Sequence, residues 1–144
     1  MADAERAVGV AAEAGVPVLP RGAGTSLAGQ TVGAAAVMDF ARHMDRIVAI
    51  DAEARTALVQ PGVVKEQLNA AAAEHGLRFG PDTSTANRAT IGGMICNNSA
   101  GSHSVRYGMT IDHVRTVEVV IGAACAGCNG RRTGRGLTAG CRSP

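Results

Sequence analysis

A glycine-rich segment, PRGAGTSLAGQ at residues Pro20–Gln30, constrains the fold of this chain more than any other feature. It directly follows a short apolar run, Val16–Leu19, and carries three glycines, two hydroxyl side chains and one arginine. Glycine permits positive φ angles and a close approach of the backbone to a ligand. Successive backbone amides in such a loop form a concave site for anions. The segment therefore predicts a strand followed by a loop that binds the phosphates of a nucleotide.

Single residues of this loop exclude two common nucleotide-binding motifs. The dinucleotide fingerprint G-x-G-x-x-G fails because Leu27 stands where the third glycine is required. The triphosphate-binding P-loop requires a lysine where Gln30 stands in GTSLAGQT. That lysine supplies the charge on the outer phosphates. The remaining prediction is a loop that holds a diphosphate mainly through backbone amides, with Arg21 nearby.

Helices and strands alternate along the chain as far as Gly122. Good helix formers, each followed by a glycine, predict helices over Ala2–Ala14 and Val63–His75. Runs of β-branched and apolar residues predict strands at Val16–Leu19, Ala35–Phe40, Arg46–Asp51, Thr56–Gln60 and Val114–Ile121. The segment between the third and fourth strands is short enough for a hairpin, although it contains no glycine. The pattern predicts an α+β domain without internal repeats.

A second informative region runs from Gly80 to Val114 and is dense in Gly, Ser, Thr and Asn. Within it, Ala89–Asn97 predicts a tight turn that feeds a helix, whose N-terminus would favour an anion. The Gly92-Gly93 pair would let a flat ligand lie against the backbone. Uncharged donors and acceptors for a heterocycle and for phosphate oxygens come from Asn97, Asn98, Ser99 and Ser102. The alternative is a structural loop that satisfies its own backbone.

The composition limits the classes of partner. The chain is 46% hydrophobic, but its aromatic residues are only Phe40, Phe79 and Tyr107, so a core of small residues is expected. The net charge of +2 gives no reason to expect nucleic acid. No apolar run approaches the roughly 18 residues of a membrane span. The N-terminus lacks a signal-peptide pattern. We therefore expect a soluble, cytoplasmic protein.

The chain changes character near Gly122. The segment from there to Pro144 has six glycines, four arginines and no acidic residue. Cys125 and Cys128 form a C-x-x-C pair, but a zinc site needs four ligands and no second pair exists. A chance pair is therefore favoured over half of a metal or redox site, and no metal ligand is predicted. We expect residues 1–122 to form the domain and residues 123–144 to be disordered or frameshifted.

Together the two regions resemble a known family. The motifs P-R-G-A-G-T-S, P-G-V, G-P-D, T-I-G-G, N-x-x-x-G and Y-G-x-x-x-D-H-V occur in that order between Val8 and Gly122. This pattern resembles the PCMH-type FAD-binding domain of the vanillyl-alcohol-oxidase superfamily. Within it, the pattern is most similar to FAD-linked 2-hydroxyacid oxidases and dehydrogenases of the glycolate oxidase, D-lactate dehydrogenase and D-2-hydroxyglutarate dehydrogenase type. The resemblance implies a small mixed sheet flanked by helices, incomplete at both ends.

The resemblance also implies which residues contact the cofactor. The Pro20–Gln30 segment, called the first loop, would wrap the FAD pyrophosphate. The Pro61-Gly62 turn would lie near the adenosine. The second region, Gly80–Val114, would line the flavin and the rest of the cleft. No histidine stands in the first loop, which implies non-covalent FAD. The implied cofactor-binding residues are Arg21, Gly22, Ala23, Gly24, Thr25, Ser26, Gly29, Gln30, Pro61, Gly62, Pro81, Asp82, Thr85, Ile91, Gly92, Gly93, Asn97, Gly101, Ser102 and Tyr107.

In such relatives the chemistry is oxidation of a D-2-hydroxyacid to the 2-oxoacid, with the substrate bound by a cap domain. That domain is expected to be missing here, so we expect no catalytic residue and no turnover by these 144 residues alone. An iron–sulfur region or an electron-transfer partner is expected in the parent protein. Two alternatives remain open: a non-functional remnant, and the FAD domain of a UDP-sugar reductase. His103 and His113 are expected to be polar histidines with partial hydrogen bonding, and Cys96 a small buried residue.

Overall fold

The computed structural model describes residues 2–120, together with the backbone of residues 133–134 and 138–140. Helix α1 (Ala2–Glu13) ends before Gly15, which takes a positive φ of 65°. This confirms the first predicted helix to within one residue. Together with the strand pairs and helices described below, it forms an α+β fold, as the sequence predicts.

The first sheet is a parallel pair that positions the glycine-rich loop. Strand β1 (Val18–Arg21) pairs with β2 (Ala36–Asp39) in a register that sets Val18 opposite Ala36. Strand β1 begins two residues later than predicted and includes Pro20. Because the strands run parallel, Arg21 and Asp39 face each other at the ends of their strands. The loop after β1 therefore starts beside the carboxyl end of β2.

A second sheet is built on a hairpin. Strands β3 (Ile47–Asp51) and β4 (Thr56–Val59) are antiparallel, which confirms the predicted hairpin. The turn lacks glycine, so Arg55 adopts the left-handed conformation with a φ of 52°. The Asp51 carboxylate stabilises the same turn by accepting a hydrogen bond from the Ala54 amide over 2.8 Å.

The predicted strand over Val114–Ile121 is wrong as a single element. The structure has two strands there, β5 (Val114–Thr116) and β6 (Val119–Val120), which belong to different sheets. Strand β6 pairs with β7 (Thr133–Gly134), whereas β8 (Thr138–Gly140) lies between β4 and β5. The segment is suited to a strand throughout, but it forms two strands because its two ends pair with different partner strands.

The tail expected at residues 123–144 contributes strands β7 and β8 to these sheets. Its remaining residues, including Cys125, Cys128 and Cys141, lie outside the described part of the chain. A disordered or frameshifted tail therefore stays a prediction.

Three short helices follow the hairpin. Helix α2 (Lys65–Ala73) occupies the middle of the predicted Val63–His75 segment. A turn follows it and closes at Gly76, whose φ is 66° and whose amide donates to the Ala73 carbonyl over 3.0 Å. Helices α3 (Ile91–Cys96) and α4 (Ser104–Tyr107) lie in the second glycine-rich region, and a 3-10 turn, Thr110–His113, leads into β5.

The main core lies between the hairpin, α2 and α3. It is composed of Ala57, Val59, Val63, Leu68, Phe79, Ala89, Ile91 and Met94, each less than a tenth exposed. Half of these residues are alanine or valine, but the other half are large, so the expectation of a core of small residues is only partly met. Because α3 contributes Ile91 and Met94 to this core, the second glycine-rich region is anchored to the body of the domain.

Replacing Leu68 by alanine tests this assignment of the core. Leu68 is fully buried, so Leu68→Ala should lower the free energy of unfolding by about 2–5 kcal/mol. The matched control is Leu27→Ala, because the Leu27 side chain is fully exposed and its loss should change stability by about 0.5 kcal/mol or less. Urea denaturation measures both. Equal effects of the two substitutions would contradict the packing described here.

Candidate cofactor-binding site

The first loop borders an open cleft, which we call the first cleft. Its volume is about 440 Å³, and it is lined by Arg21, Gly22, Ala23, Gly24, Thr31, Val32, Asp39 and Ala41. The predicted residues Arg21–Gly24 therefore lie on the surface of one concave site. Gly24 takes a positive φ of 68°, which turns the chain sharply at the start of the loop.

The backbone amides of this loop are the main chemical feature of the first cleft. Within the described residues, none of the N–H groups from Gly22 to Gln30 donates to a protein acceptor. Backbone N–H groups are strong donors that are normally paired. A run of unpaired amides beside a cleft provides the positive potential that binds an anion. The donor set fits a diphosphate, as the sequence predicts.

An ion pair lies at the edge of the first cleft. The Arg21 guanidinium is 3.3 Å from Oδ2 of Asp39, and Oδ1 of Asp39 accepts a hydrogen bond from the Ala41 amide over 2.9 Å. Both contacts hold the pKa of Asp39 below its ordinary value, and the hydrogen bond from the Ala41 amide has the larger effect. Asp39 is therefore an anion that is already neutralised by the cation of the loop.

A second open cleft of about 260 Å³ lies in the second glycine-rich region and is called the second cleft. It is lined by Asp82, Thr83, Ser84, Ala100, Gly101 and Ser102. The hydroxyl oxygen of Thr83 is buried and has no hydrogen-bond partner in the described part of the chain. Of these lining residues, Asp82, Gly101 and Ser102 were predicted at the site, whereas Thr83, Ser84 and Ala100 were not.

Glycines bring these loops together where no side chain would fit. A Cβ atom on Gly22 would overlap the side chain of Thr90, which caps α3. A Cβ atom on Gly101 would overlap the backbone of Asp82. A Cβ atom on Gly92 would lie 2.6 Å from Cβ of Pro61. The Thr90 side chain therefore packs against the backbone of the first loop at Gly22, while Gly92 and Gly101 pack closely against Pro61 and the backbone of Asp82.

A hydrogen bond closes the far end of the first loop onto α3. The side-chain amide of Gln30 donates through Nε2 to Oδ1 of Asn97 over 2.8 Å. The two residues are far apart in the sequence, and both were expected at the site. Gln30, which replaces the P-loop lysine, thus holds the loop against the second region.

The other predicted residues support the loops rather than lining either cleft. The side chains of Pro81 and Ile91 are fully buried. The amides of Ile91 and Gly92 already donate to Val63 and Pro61, each over 2.8 Å. The rest of this group comprises Thr25, Ser26, Gly29, Gly62, Thr85, Gly93 and Tyr107. Direct cofactor contact by these residues stays a prediction.

Three ionisable side chains meet beside the second cleft, and two of them were not predicted at the site. Lys65 Nζ lies 3.7 Å from Oδ1 of Asp82, and His103 Nδ1 lies 2.7 Å from Oδ2 of the same carboxylate. The hydrogen bond from His103 is the largest cause that lowers the pKa of Asp82, and the charge of Lys65 adds to it. Burial lowers the pKa of Lys65, and the Asp82 carboxylate opposes that effect.

Sequence patterns could have indicated some of the unpredicted residues. Asp39 is the penultimate residue of the predicted strand Ala35–Phe40, and the carboxyl ends of adjacent parallel strands meet at one edge of a sheet. A lysine at the start of α2 gives no such signal, because only the tertiary packing makes Lys65 buried. The expectation for His103 is confirmed, since it is hydrogen bonded but exposed. The expectation that Cys96 is buried is wrong, since it lies exposed at the end of α3.

A family model described as "FAD binding domain" matches residues 1–124 of this chain. The chain belongs to this FAD-binding family. The match includes both clefts and all the loops that the glycines bring together. It confirms the resemblance on which the cofactor prediction rests.

Named relatives agree with this assignment. D-2-hydroxyglutarate dehydrogenase of Pseudomonas putida is 48% identical over 106 residues, which cover 74% of this chain and 10% of that protein. Glycolate oxidase subunit GlcD of Bacillus subtilis is 42% identical over 118 residues, which cover 81% of this chain and 25% of that protein. The chain thus spans between a tenth and a quarter of the length of these relatives.

A solved structure shows the same fold. Alkyldihydroxyacetonephosphate synthase matches with a TM-score of 0.76 and 23% sequence identity, over 96% of this chain and 32% of that one. In the described part of the chain, no helix combines the length and apolarity needed to cross a bilayer. Among the same residues, no group of three or more His, Cys, Asp or Glu could hold a metal ion.

Substituting Gly92 tests the close approach between α3 and the Pro61 turn. Alanine normally favours a helix over glycine, but here its Cβ atom would lie 2.6 Å from that of Pro61 and 2.9 Å from the Pro61 carbonyl oxygen. Gly92→Ala should therefore lower the free energy of unfolding by about 1–3 kcal/mol in urea denaturation. The control is Gly33→Ala, which has open space around it and should be nearly neutral. A stabilised Gly92→Ala protein would refute the contact.

The lowered pKa of Asp82 predicts a pH-dependent contribution to stability. A carboxyl whose folded-state pKa is depressed stabilises the fold above its unfolded value, about 3.9 for aspartate, and this stabilisation is lost as the pH falls through the folded pKa. Asp82→Asn should therefore be less stable than the wild type at pH 7, and the difference should vanish in strong acid. Urea midpoints between neutral and acid pH measure it, with the exposed Asp45→Asn as control. A difference that persists unchanged in acid would contradict the prediction.

Proposed function

We propose that this chain binds FAD non-covalently, with the pyrophosphate on the first loop. The run of unpaired amides from Gly22 to Gln30 is the observation that carries the proposal. Three residues of this run, Gly22, Ala23 and Gly24, line the first cleft together with Arg21. The family assignment supports FAD as the source of the diphosphate.

The charges in the first cleft favour a diphosphate over a triphosphate. Arg21 is the cationic side chain among the residues that line it, and Asp39 already balances that charge. The position that a lysine holds in triphosphate-binding loops is taken by Gln30, which hydrogen bonds to Asn97. Binding would thus depend mainly on the backbone amides, which can form an anion site for phosphate groups.

The second cleft offers neutral groups for the rest of the cofactor. The hydroxyl-bearing residues Thr83, Ser84 and Ser102 line it, although the Thr83 hydroxyl oxygen itself is buried. Neutral donors and acceptors suit the hydroxyl groups and the ring edges of a flavin. Neither histidine nor cysteine occurs between Pro20 and Gln30, so the first loop has no residue for a covalent flavin bond.

In the parent protein we propose the oxidation of a D-2-hydroxyacid to the 2-oxoacid. Bound flavin supplies the acceptor for the hydrogen at the hydroxyl-bearing carbon, while the protein provides binding and electrostatics. The names of relatives that are 36–48% identical, which include a D-lactate dehydrogenase of Archaeoglobus fulgidus, support the hydroxyacid class over a UDP-sugar reductase. The particular hydroxyacid and an iron–sulfur or other electron-transfer partner belong to the same proposal.

Flavin titration of the purified chain tests cofactor binding. FAD should bind with a change in flavin fluorescence, and Arg21→Gln should weaken binding about 10- to 100-fold, because a charge-assisted contact to phosphate is lost. Riboflavin, which lacks the pyrophosphate, should bind much more weakly and should be insensitive to Arg21→Gln.

The matched control is Arg55→Gln in the hairpin turn, away from both clefts. It should leave the affinity for FAD unchanged. A folded chain that does not bind FAD would overturn the proposal. Equal losses in the two arginine variants would instead remove the role assigned to the first loop.

A further inference from the structure

Lys65, Asp82 and His103 form a chain of contacts from the core to the surface, which we call the relay. The side chains are 3%, 32% and 63% exposed, in that order. They come from three different segments: the first residue of α2, the loop after Phe79, and the residue that precedes α4. Asp82 is shared by both contacts and also lines the second cleft.

The contact between Asp82 and His103 determines where the imidazole carries its proton. An ionised carboxylate has acceptors but no donor, so the ring nitrogen that faces it must carry the hydrogen. Nδ1 lies 2.7 Å from Oδ2 of Asp82, and the lowered pKa of Asp82 agrees with an ionised carboxylate. The hydroxyl of Ser102 is farther from Nδ1, at 3.3 Å, and is therefore the weaker partner. In the neutral ring, Nε2 then has a free lone pair.

Lys65 explains why Asp82 stays ionised and in place. A buried ammonium group requires a partner, since an unpaired charge in the interior is strongly unfavourable. Asp82 is the carboxylate that lies within 4 Å of Lys65 Nζ in the described part of the chain. One oxygen of Asp82 is thereby held toward the core, which leaves the other toward His103. Lys65 acts through Asp82 and is a positioning residue.

The surroundings of His103 leave its second nitrogen accessible. The Tyr107 ring is edge-on to the imidazole, with centroids 6.3 Å apart. Arg78 and Arg106 each lie 5.6 Å from the centroid of the Tyr107 ring. No hydrogen bond to Nε2 of His103 occurs among the described residues, and most of the side chain is exposed.

We propose that Lys65 and Asp82 hold His103 with its proton on Nδ1, so that Nε2 is a hydrogen-bond acceptor for a hydroxyl group of a ligand beside the second cleft. The hydroxyl could belong to the ribityl or ribose part of FAD, or to a 2-hydroxyacid. The identity of the ligand rests on the proposed function, whereas the position of the proton does not. Ser102, which lines the second cleft, would bind the same hydroxyl-bearing ligand.

Nitrogen NMR of the full chain tests the position of the proton without any cofactor. Long-range ¹H–¹⁵N spectra of the ¹⁵N-labelled protein at about pH 8.5, where an ordinary imidazole is neutral, distinguish the two tautomers. His103 should show a protonated Nδ1 in the wild type, and this preference should be lost in Asp82→Asn. Lys65→Met should reduce it, and Ser102→Ala should leave it unchanged. A protonated Nε2 in the wild type would overturn the inference.

A double variant protects the test against unfolding. Asp82→Asn leaves Lys65 without its partner and could prevent folding, whereas Lys65→Met combined with Asp82→Asn removes the buried charge as well. The double variant should fold and lack the Nδ1 preference. If it folds and retains the preference, Asp82 does not position His103.

Two ligand additions distinguish the sources of the hydroxyl group. FAD or D-lactate should shift the Nε2 resonance of the wild type, and His103→Leu should weaken binding of that ligand about fivefold, the effect of one hydrogen bond. If flavin fluorescence shows that FAD binds while neither addition moves Nε2, the acceptor role is wrong. If FAD does not bind, the proposed function fails, and the tautomer and the D-lactate arm still decide this inference.

Discussion

Close packing at glycines, where no Cβ atom would fit, is the constraint on which the rest of this structure depends. Gly22 lies against the Thr90 cap, Gly92 against Pro61 and Gly101 against Asp82, and none of these positions has room for a Cβ atom. In the described part of the chain, the backbone amides from Gly22 to Gln30 donate to no protein acceptor, and the core residues of α3 anchor the second glycine-rich region.

Each cleft contains a carboxylate, and each carboxylate is already neutralised by the protein. Asp39 is paired with Arg21, and Asp82 is shared by Lys65 and His103. Without these partners the acids would repel a phosphate group. With them, the potential in the first cleft comes from backbone dipoles, which are fixed by the fold. This distribution of charge suits a dinucleotide, whose two phosphates bind beside uncharged rings and hydroxyl groups.

Local patterns predicted most of the elements, and non-local packing accounts for the differences. The Pro20–Gln30 loop, the hairpin without glycine and helix α2 follow from their own residues and their immediate neighbours. The split of Val114–Ile121 into two strands depends on which strands are available as partners. The identity of those partners cannot be predicted from the eight residues alone. The same limit applies at the site. Asp39, Lys65 and His103 acquire their roles from partners distant in sequence, and the exposure of Cys96 follows from where α3 ends.

The unpaired amides of the first loop have a consequence for how its occupancy can be observed. An amide that donates to no protein acceptor and borders solvent exchanges its hydrogen rapidly with deuterated water. A bound anion that accepts from those amides would slow the exchange of this segment, while α2 and the hairpin would keep the protection that their own hydrogen bonds provide. Hydrogen–deuterium exchange of peptides from this loop can therefore report whether an anion is bound, even when the anion has no visible absorption.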